Sequence, residues 1–383
     1  MDPPDDSGAP SPVVVVATND AWNVVNYRKG LITGLQERGY RIAVLAPPGR
    51  HSTEIERMGV EFHPVPMAAR GMSPLADLRT LLAFRSVFRR VRPAAVLGFT
   101  VKPNIYGSIA SGMFRIPVIS NVSGLGTVFT RDSMLRRLVE ALYRYAFRQS
   151  QVVFFQNRDD ATLFTERKIV RPEQIKLLPG SGIDLNRFAP TQRARASKFE
   201  FLFVGRLLWA KGLSELAKAT RELKSAGEDF NVRIAGIPAG DDKDSVSLDT
   251  INSWEKEGLI DYLGSVKDVR PLIASADCVV LPSYYREGVP RSLLEAAAMA
   301  TPTITTDWPG CRDAVDDGAT GYLCQPRSIS SLASAMRRML QLDGAERQAM
   351  GRAARTKMER QFSETVVIDA YLDALGNLAA KRS

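Results

Sequence analysis

The stretch from Asp277 to Gly310, DCVVLPSYYREGVPRSLLEAAAMATPTITTDWPG, limits the architecture more than any other part of the chain. Cys278–Leu281 is a short apolar run that stops at Pro282, and the alanine- and leucine-rich segment Ser292–Ala300 has helix propensity, so the unit reads strand, loop, helix. Thr303–Thr306 supplies the next strand. Units of this kind build α/β sheets, and the loop lies at the carboxyl ends of the strands, where open α/β sheets bind ligands. Pro290 is expected in the first turn of the helix, with free N–H groups pointing into the crevice. Orphan amides and the helix dipole at that end favour an anion such as a diphosphate. Two carboxylates frame the place: Glu287 in the loop, and Glu295 about one and a half turns into the helix. An isolated pair of helix-face glutamates is ordinarily solvated charge. Its surroundings give this pair another meaning.

Glu287, seven intervening residues, Glu295 and then AMATPTITT resemble the signature of the family 4 retaining glycosyltransferases. The resemblance implies the GT-B fold, an α/β architecture of two Rossmann-like doubly wound domains facing a central cleft. In that family a glycine and an arginine after the first strand of the second domain, with a lysine five residues beyond the arginine, hold the nucleotide diphosphate. Here Phe201–Val204 is the strand, and Gly205, Arg206 and Lys211 occupy those positions. The chemistry fits independently of the name: a guanidinium forks onto phosphate oxygens and an ammonium adds a second positive charge. By resemblance, Glu287 would hold donor-sugar hydroxyls and Glu295 the ribose hydroxyls. Arg206, Lys211 and the amides near Gly288 and Val289 would stabilise the departing diphosphate without a metal. Glu287, Arg206 and Lys211 are thus the expected catalytic groups. Gly205, Gly288, Val289, Pro290, Glu295 and Val266, which follows the short strand Leu259–Gly264, complete the donor side. No cofactor is expected beyond a UDP-sugar donor.

The first half begins with a buried-type strand, Val13–Ala17, then a loop, a helix ended by Gly39 and a second strand. This opening lacks the GxGxxG turn of a dinucleotide binder. It is similar to the amino end of many family members, where the first loop faces the acceptor, which makes Trp22, Asn23, Asn26 and Arg28 acceptor candidates. A capped helix start with a packed aromatic explains the same residues equally well. Lys102 and Asn104 in FTVKPNIYG, and Asn121, Ser123 and Gly124 in NVSGLG, extend the candidate set. Many relatives carry a histidine in that last loop, whereas the only histidines here are His51 and His63. Asn121 or Ser123 is expected to hold the position by hydrogen bonding. FTVKPNIYG, NVSGLG and SYYREGVPRSLLEA resemble a subgroup that adds N-acetylhexosamine or hexose to undecaprenyl-diphosphate-linked sugars in bacterial surface polysaccharide or glycan assembly.

Charge divides unevenly along the chain. Up to Pro190 there are 25 Lys and Arg against 16 Asp and Glu, and the remainder carries 26 of each, so the net +9 lies in the first half. That half should meet something anionic. Leu75–Val91 carries Arg79, Arg85, Arg89 and Arg90 on a helical pattern. RDSMLRRLVEALYRYAFRQS carries Arg131, Arg136, Arg137, Arg144 and Arg148, with Leu135, Leu138, Leu142 and Tyr145 at helical spacing and expected mostly in the core. Arginines interleaved with Tyr143 and Phe147 suit an anionic bilayer, although a solvated charged face is the ordinary explanation. No nucleic-acid motif accompanies the charge. The uncharged run Ile116–Thr130 is too short to span a membrane, and the cysteines, Cys278, Cys311 and Cys324, have no metal-like spacing and suit a reduced compartment. Placement in the cytoplasm, peripheral to the inner face of the cytoplasmic membrane, is expected.

The expected organisation is a flexible leader over 1–12, an acceptor-binding domain over 13–189, a nucleotide-sugar-binding domain over 190–362, and a helix over 363–383 crossing back to the first domain. LLPGSGIDLNRFAP resembles the hinge of GT-B families. Asp242, Lys243 and Asp244 have the DxD form of metal-binding transferases of another fold, but they sit in an acidic loop rather than at a strand end. Two rivals are a GT-B sugar-nucleotide epimerase and a non-catalytic nucleotide-sugar or lipid-binding module. The first would need acid and base side chains that a chain with two histidines hardly supplies; intact Arg206, Lys211, Glu287 and Glu295 disfavour the second.

Overall fold

A computed structural model describes residues 11–68, 73–126, 129, 133–191, 198–240 and 243–380. The first ten residues of the leader, Arg131, residues 192–197 of the expected linker, Asp242 and residues 381–383 lie outside that set.

Two parallel sheets organise the chain. The first joins β1 (Val13–Ala17), β2 (Arg41–Ala46), β3 (Glu61–Pro64), β4 (Ala95–Phe99), β5 (Val118–Val122), β6 (Ser150–Phe155) and β7 (Ile175–Leu177) in the order β3-β2-β1-β4-β5-β6-β7. The second joins β8 (Phe199–Val204), β9 (Phe230–Ala235), β10 (Asp261–Gly264), β11 (Cys278–Leu281), β12 (Thr303–Thr306) and β13 (Gly321–Cys324) in the order β10-β9-β8-β11-β12-β13. Both orders reverse direction once, between β1 and β4 and between β8 and β11. Doubly wound sheets open a crevice at such a switch point.

Helices cover both faces. In the first domain α1 (Ala21–Asn23) passes through the wide turn Val24–Arg28 into α2 (Lys29–Glu37), followed by α3 (Ser52–Glu56), α4 (Pro74–Val91), α5 (Ser108–Gly112), α6 (Met134–Ala146) and α7 (Arg158–Glu166). In the second, α8 (Leu213–Ser225), α9 (Leu248–Lys256), α10 (Arg270–Ser275), α11 (Arg291–Ala298), α12 (Ile329–Gln341) and α13 (Gly344–Lys357) alternate with or follow the strands. Because a strand turns successive residues to opposite faces, β1 is apolar throughout: Val14 and Val16 pack on the side of α2, and Val15 and Ala17 on the side of α4 and α5. Local signals set the helix ends. Ser133, Asn157, Ser247, Ser328 and Asp343 each cap a helix start with a side-chain oxygen. Arg92, in left-handed conformation ahead of Pro93, stops α4.

The chain crosses between domains twice, and the crossings lie side by side. The Ile183 N–H donates to the Phe362 carbonyl (2.8 Å), and the Glu364 N–H returns to the Ile183 carbonyl (3.0 Å). The last helix, α14 (Glu364–Ala380), then lies on α2. There Tyr371 is wholly buried and accepts a hydrogen bond from Asn121 Nδ2 at 2.8 Å.

One expectation about α6 is corrected. Its buried side is Val139, Tyr143 and Ala146, whereas Leu135, Leu138 and Tyr145 face solvent. Tyr143 and Phe147, expected among the outward arginines, are in the core with Phe164. The periodicity was real, but both faces of the helix are apolar enough to match it, and the sheet takes the one with the aromatic rings.

Candidate functional site

The loops after β8 and β11 meet at the second switch point. β8 is followed by Gly205, whose N–H donates to the Ala235 carbonyl at 3.0 Å, and by Leu207, whose N–H donates to the Ile237 carbonyl at 2.9 Å, so the backbone on both sides of Arg206 stays tied to the neighbouring strand. Arg206 is exposed on the crevice side, its guanidinium 5.6 Å from the centre of the Tyr285 ring. A single 3-10 turn, Trp209–Lys211, follows. Asp244 pins it: the Trp209 N–H donates to the Asp244 carbonyl (2.8 Å) and the Ala210 N–H to its carboxylate (3.1 Å). The described half of the DxD sequence thus supports this turn. Gly212 follows at φ 77°, where a Cβ would fall 2.2 Å from the Pro282 carbonyl oxygen, so only glycine lets the turn press against the end of β11.

That approach brings Lys211 onto Glu287. The ammonium lies 2.9 and 3.0 Å from the two carboxylate oxygens, and Ser283 Oγ donates to Oε1 at 3.2 Å. Both side chains are mostly enclosed. One helix further on, Arg291 Nε is 3.2 Å from Glu295 Oε1, and its Nη1 donates to the Gly182 carbonyl at 2.9 Å, tying α11 to the hinge. The same guanidinium lies 5.3 Å from the ring of Tyr27, which enters from the first domain. Burial pushes the Glu295 carboxyl up against the pull of Arg291, and pushes the Tyr27 hydroxyl up to about 12, reinforced by Glu295.

The loop carrying Glu287 is clasped to the first domain. The Gly288 N–H donates to the Ser123 carbonyl (3.0 Å), and the Gly126 N–H to the Arg286 carbonyl (2.8 Å). Gly124, at φ 116°, and Gly310, at φ 83°, press on the loop from opposite sides: a Cβ on the first would fall 2.5 Å from Gly288 N, and one on the second 1.9 Å from Gly288 O. Arg286 also reaches to 3.6 Å from Asp160 on α7. Burial lifts the Asp160 carboxyl to about 6, against its hydrogen bond from Asn157 and the charge of Arg286.

Several expected roles change with these positions. The Gly288 amide is not a free donor, since the clasp uses it. Pro290 is the extended cap residue of α11 rather than part of its first turn. Val289 is buried, and Val266 is half-buried in the loop after β10. On the first-domain side Lys102 is sunk in an ion pair with Asp77 at 2.8 Å, and Asn104 is fully buried with its Nδ2 on the Asn121 carbonyl. Asn121 in turn holds Tyr371 and accepts from Ser123 Oγ (2.7 Å), so this loop is braced from beneath. Arg28 is one of the largest fully buried side chains, its guanidinium 4.0 Å from the centre of the Phe99 ring, with burial lowering its pKa to about 10. These groups build the wall of the crevice. Trp22 stays exposed, Asn26 donates to its carbonyl at 3.0 Å, and Asn23 is half-buried beside them. Sequence reasoning missed Tyr27, Arg291 and Ser283; only the four-residue Arg291–Glu295 spacing gave a signal, and an i,i+4 ion pair is too common to single out.

Residues 187–357 match the family described as glycosyl transferases group 1, and residues 24–180 match the glycosyl transferase 4-like domain. The chain belongs to this glycosyltransferase family. This glycosyltransferase is 23% identical over 367 residues to an N,N'-diacetylbacillosaminyl-diphospho-undecaprenol alpha-1,3-N-acetylgalactosaminyltransferase of Campylobacter jejuni, covering 91% of this chain and 94% of that one. It is 22% identical over 320 residues to a UDP-Gal:alpha-D-GlcNAc-diphosphoundecaprenol alpha-1,3-galactosyltransferase of Escherichia coli, covering 81% and 82% respectively. Its backbone superposes on the Anabaena protein HepE, solved in complex with UDP-glucose, with TM-score 0.78 at 17% identity over 96% of this chain and 100% of that one. The fold is GT-B. Among the described residues no three His, Cys, Asp or Glu side chains gather as a metal site, and no helix is long and apolar enough to cross a membrane.

Proposed function

We propose that this glycosyltransferase moves an N-acetylhexosamine or hexose from a UDP-sugar to a lipid-diphosphate-linked saccharide, with retention of anomeric configuration, in the assembly of a bacterial surface polysaccharide or glycan. The observation that carries the reading is the Lys211–Glu287 pair at the β8/β11 switch point, with Arg206 exposed beside it. The relatives acting on undecaprenyl-diphosphate-linked sugars support the acceptor class. Before the donor binds, the ammonium is neutralised by Glu287. An arriving diphosphate competes for Lys211 and takes Arg206, which frees the Glu287 carboxylate to accept hydrogen bonds from donor-sugar hydroxyls. As the anomeric carbon–oxygen bond breaks, negative charge grows on the β-phosphate, where the two cations stabilise it electrostatically without a metal. The acceptor hydroxyl attacks from the leaving-group face, and its proton passes to the departing phosphate. Glu295, held by Arg291, is assigned to the ribose. Closure of the domains, fixed by the Ser123–Gly288 clasp, excludes water. Work at the inner face of the cytoplasmic membrane, through the basic first domain, follows from the lipid acceptor.

The test is a donor screen. Purified protein, a panel of UDP-, GDP- and ADP-sugars with and without chelator, and a lipid-linked saccharide extract are incubated and nucleotide diphosphate release is followed. Release from one UDP-sugar that requires the lipid acceptor, survives chelation and gives a retained anomer supports the reading. Release without acceptor, inversion, or loss with chelator removes the corresponding part of it.

A further inference from the structure

Exposed large apolar side chains are concentrated on two helices of the first domain. On α4 Leu75, 73% exposed, is followed by Leu78 and Leu82; on α6 Met134, 89% exposed, is followed by Leu138 and Tyr145. The spacings of three, seven, four and eleven residues set each trio along one outward line of its helix. Leu135 widens the second line. Arginines border both: Arg79, Arg85 and Arg89 on α4, Arg137 and Arg148 at α6, all solvent-facing. The carboxylates of these two helices are engaged, Asp77 with Lys102 and Glu140 with Arg136 and Arg167. In the second domain, by contrast, the exposed large apolar residues among those described, such as Ile237 and Leu248, are scattered. Single exposed leucines are unremarkable, but ordered lines of them signal a partner.

Topology places both lines on one side of the molecule and at one end. The inner faces of α4 and α5 share a core on one side of the first sheet, α6 follows the next strand on that side, and α5 packs against both neighbours. In a parallel sheet each crossover helix starts where its strand ends, so the starts of α4, after β3, and of α6, after β5, lie at the carboxyl edge that borders the crevice. Leu75, Leu78, Leu82, Met134, Leu135 and Leu138 all fall in the crevice-side half of their helix.

We propose that the outward faces of α4 and α6 seat the protein on an anionic bilayer, with the crevice rim against the headgroups. The leucines, Met134 and Tyr145 enter the headgroup and acyl boundary, and the bordering arginines meet lipid phosphates. This deepens, and rests on, the lipid-acceptor reading above: a diphosphate-linked saccharide then reaches the crevice while its lipid stays in the membrane. Charge complementarity selects the bilayer, because a second copy of the same face would bring arginines against arginines.

The experiment is co-sedimentation of the full chain with vesicles of phosphatidylglycerol and phosphatidylethanolamine, with phosphatidylcholine vesicles as the neutral control, at low and high salt. Wild type should bind the anionic vesicles at least about tenfold better, and binding should weaken with salt. L78E combined with L138E, both at exposed positions, should reduce binding about tenfold while UDP binding, measured by calorimetry, stays unchanged. Equal binding to neutral vesicles, or a double variant that binds as wild type does, overturns the proposal. So does a wild-type dimer in sedimentation velocity that the double variant converts to monomer with vesicle binding intact. Vesicle binding needs no turnover, so it can succeed where the donor screen fails, and the two readings fall separately.

Discussion

The carboxyl edges of the two sheets face the same crevice but treat their polar side chains differently. At β8 and β11 the charges remain at the crevice in pairs, Lys211 with Glu287 and Arg291 with Glu295, and Arg206 is exposed. At β1 and β4 they are drawn inward: Arg28 onto Phe99, Lys102 onto Asp77, Asn104 onto the Asn121 backbone. Lys211 is as enclosed as Lys102, but its partner Glu287 is 21% exposed against 7% for Asp77, so the Glu287 carboxylate keeps the solvent contact that lets it change partners. A pair sealed in the interior cannot, since losing a partner leaves a bare charge in a poor solvent. On the proposed reading, the difference separates a side that receives an anion from a side that serves as a rigid wall.

Substitutions at the two lysines should show this most strongly. Lys211→Met should lower kcat/KM roughly a hundredfold or more by removing a charge aimed at the leaving group, and should cost less stability than Lys102→Met, because an orphaned Glu287 keeps more solvent contact than an orphaned Asp77. Lys102→Met should do the reverse, costing about 3–5 kcal/mol of stability by orphaning Asp77 while the folded fraction keeps its kcat. Steady-state kinetics beside thermal denaturation decide; similar profiles for the two variants would erase the distinction.

A smaller effect is expected at Arg206. Its replacement by Ala should weaken UDP binding about tenfold, as for one hydrogen bond to a charged group, and unchanged calorimetric affinity would remove Arg206 from the donor side. Asp160 sharpens the comparison at the clasp. Burial raises its pKa from 3.8 to about 6, so the folded protein holds this proton more tightly than the unfolded chain does. Its contribution to stability is therefore fullest below 3.8 and is lost as pH rises through about 6. Asp160→Asn should gain melting temperature relative to wild type across that interval, and a parallel pH dependence in both proteins would contradict the assignment. Least of all, Asn26→Ala removes one exposed hydrogen bond to the Trp22 carbonyl and should cost about 0.5 kcal/mol. A large rise in acceptor KM would instead place Asn26 on the acceptor.

The meeting of charged residues in the second domain was legible because their placement is written locally. Gly205, Arg206 and Lys211 follow one strand and Glu287 follows another, and the sheet order makes those two strands neighbours. That Lys211 would close on Glu287 was not legible, since it depends on Gly212 meeting Pro282. The first domain misled for a physical reason. Lys102, Asn104 and Arg28 are polar residues after strand ends, where ligand contacts occur, but the same positions can be filled by groups that hold wide helical turns in place, and only burial tells them apart. In α6 the helical period located the helix but not its inner face, because Leu135 and Leu138 match the pattern as well as Val139 does.

The proposed transfer requires Lys211 and Glu287 to act as one unit at the donor. A double-mutant cycle measures this most directly: kcat/KM for wild type, Lys211→Met, Glu287→Gln and both together, on the donor found by the screen and a lipid-linked acceptor. Strong non-additivity is expected, with the double variant little worse than the poorer single one, because either change leaves the other group without its task. Losses that simply add would mean that the two side chains act independently, and that their 2.9 Å contact is only part of the scaffold.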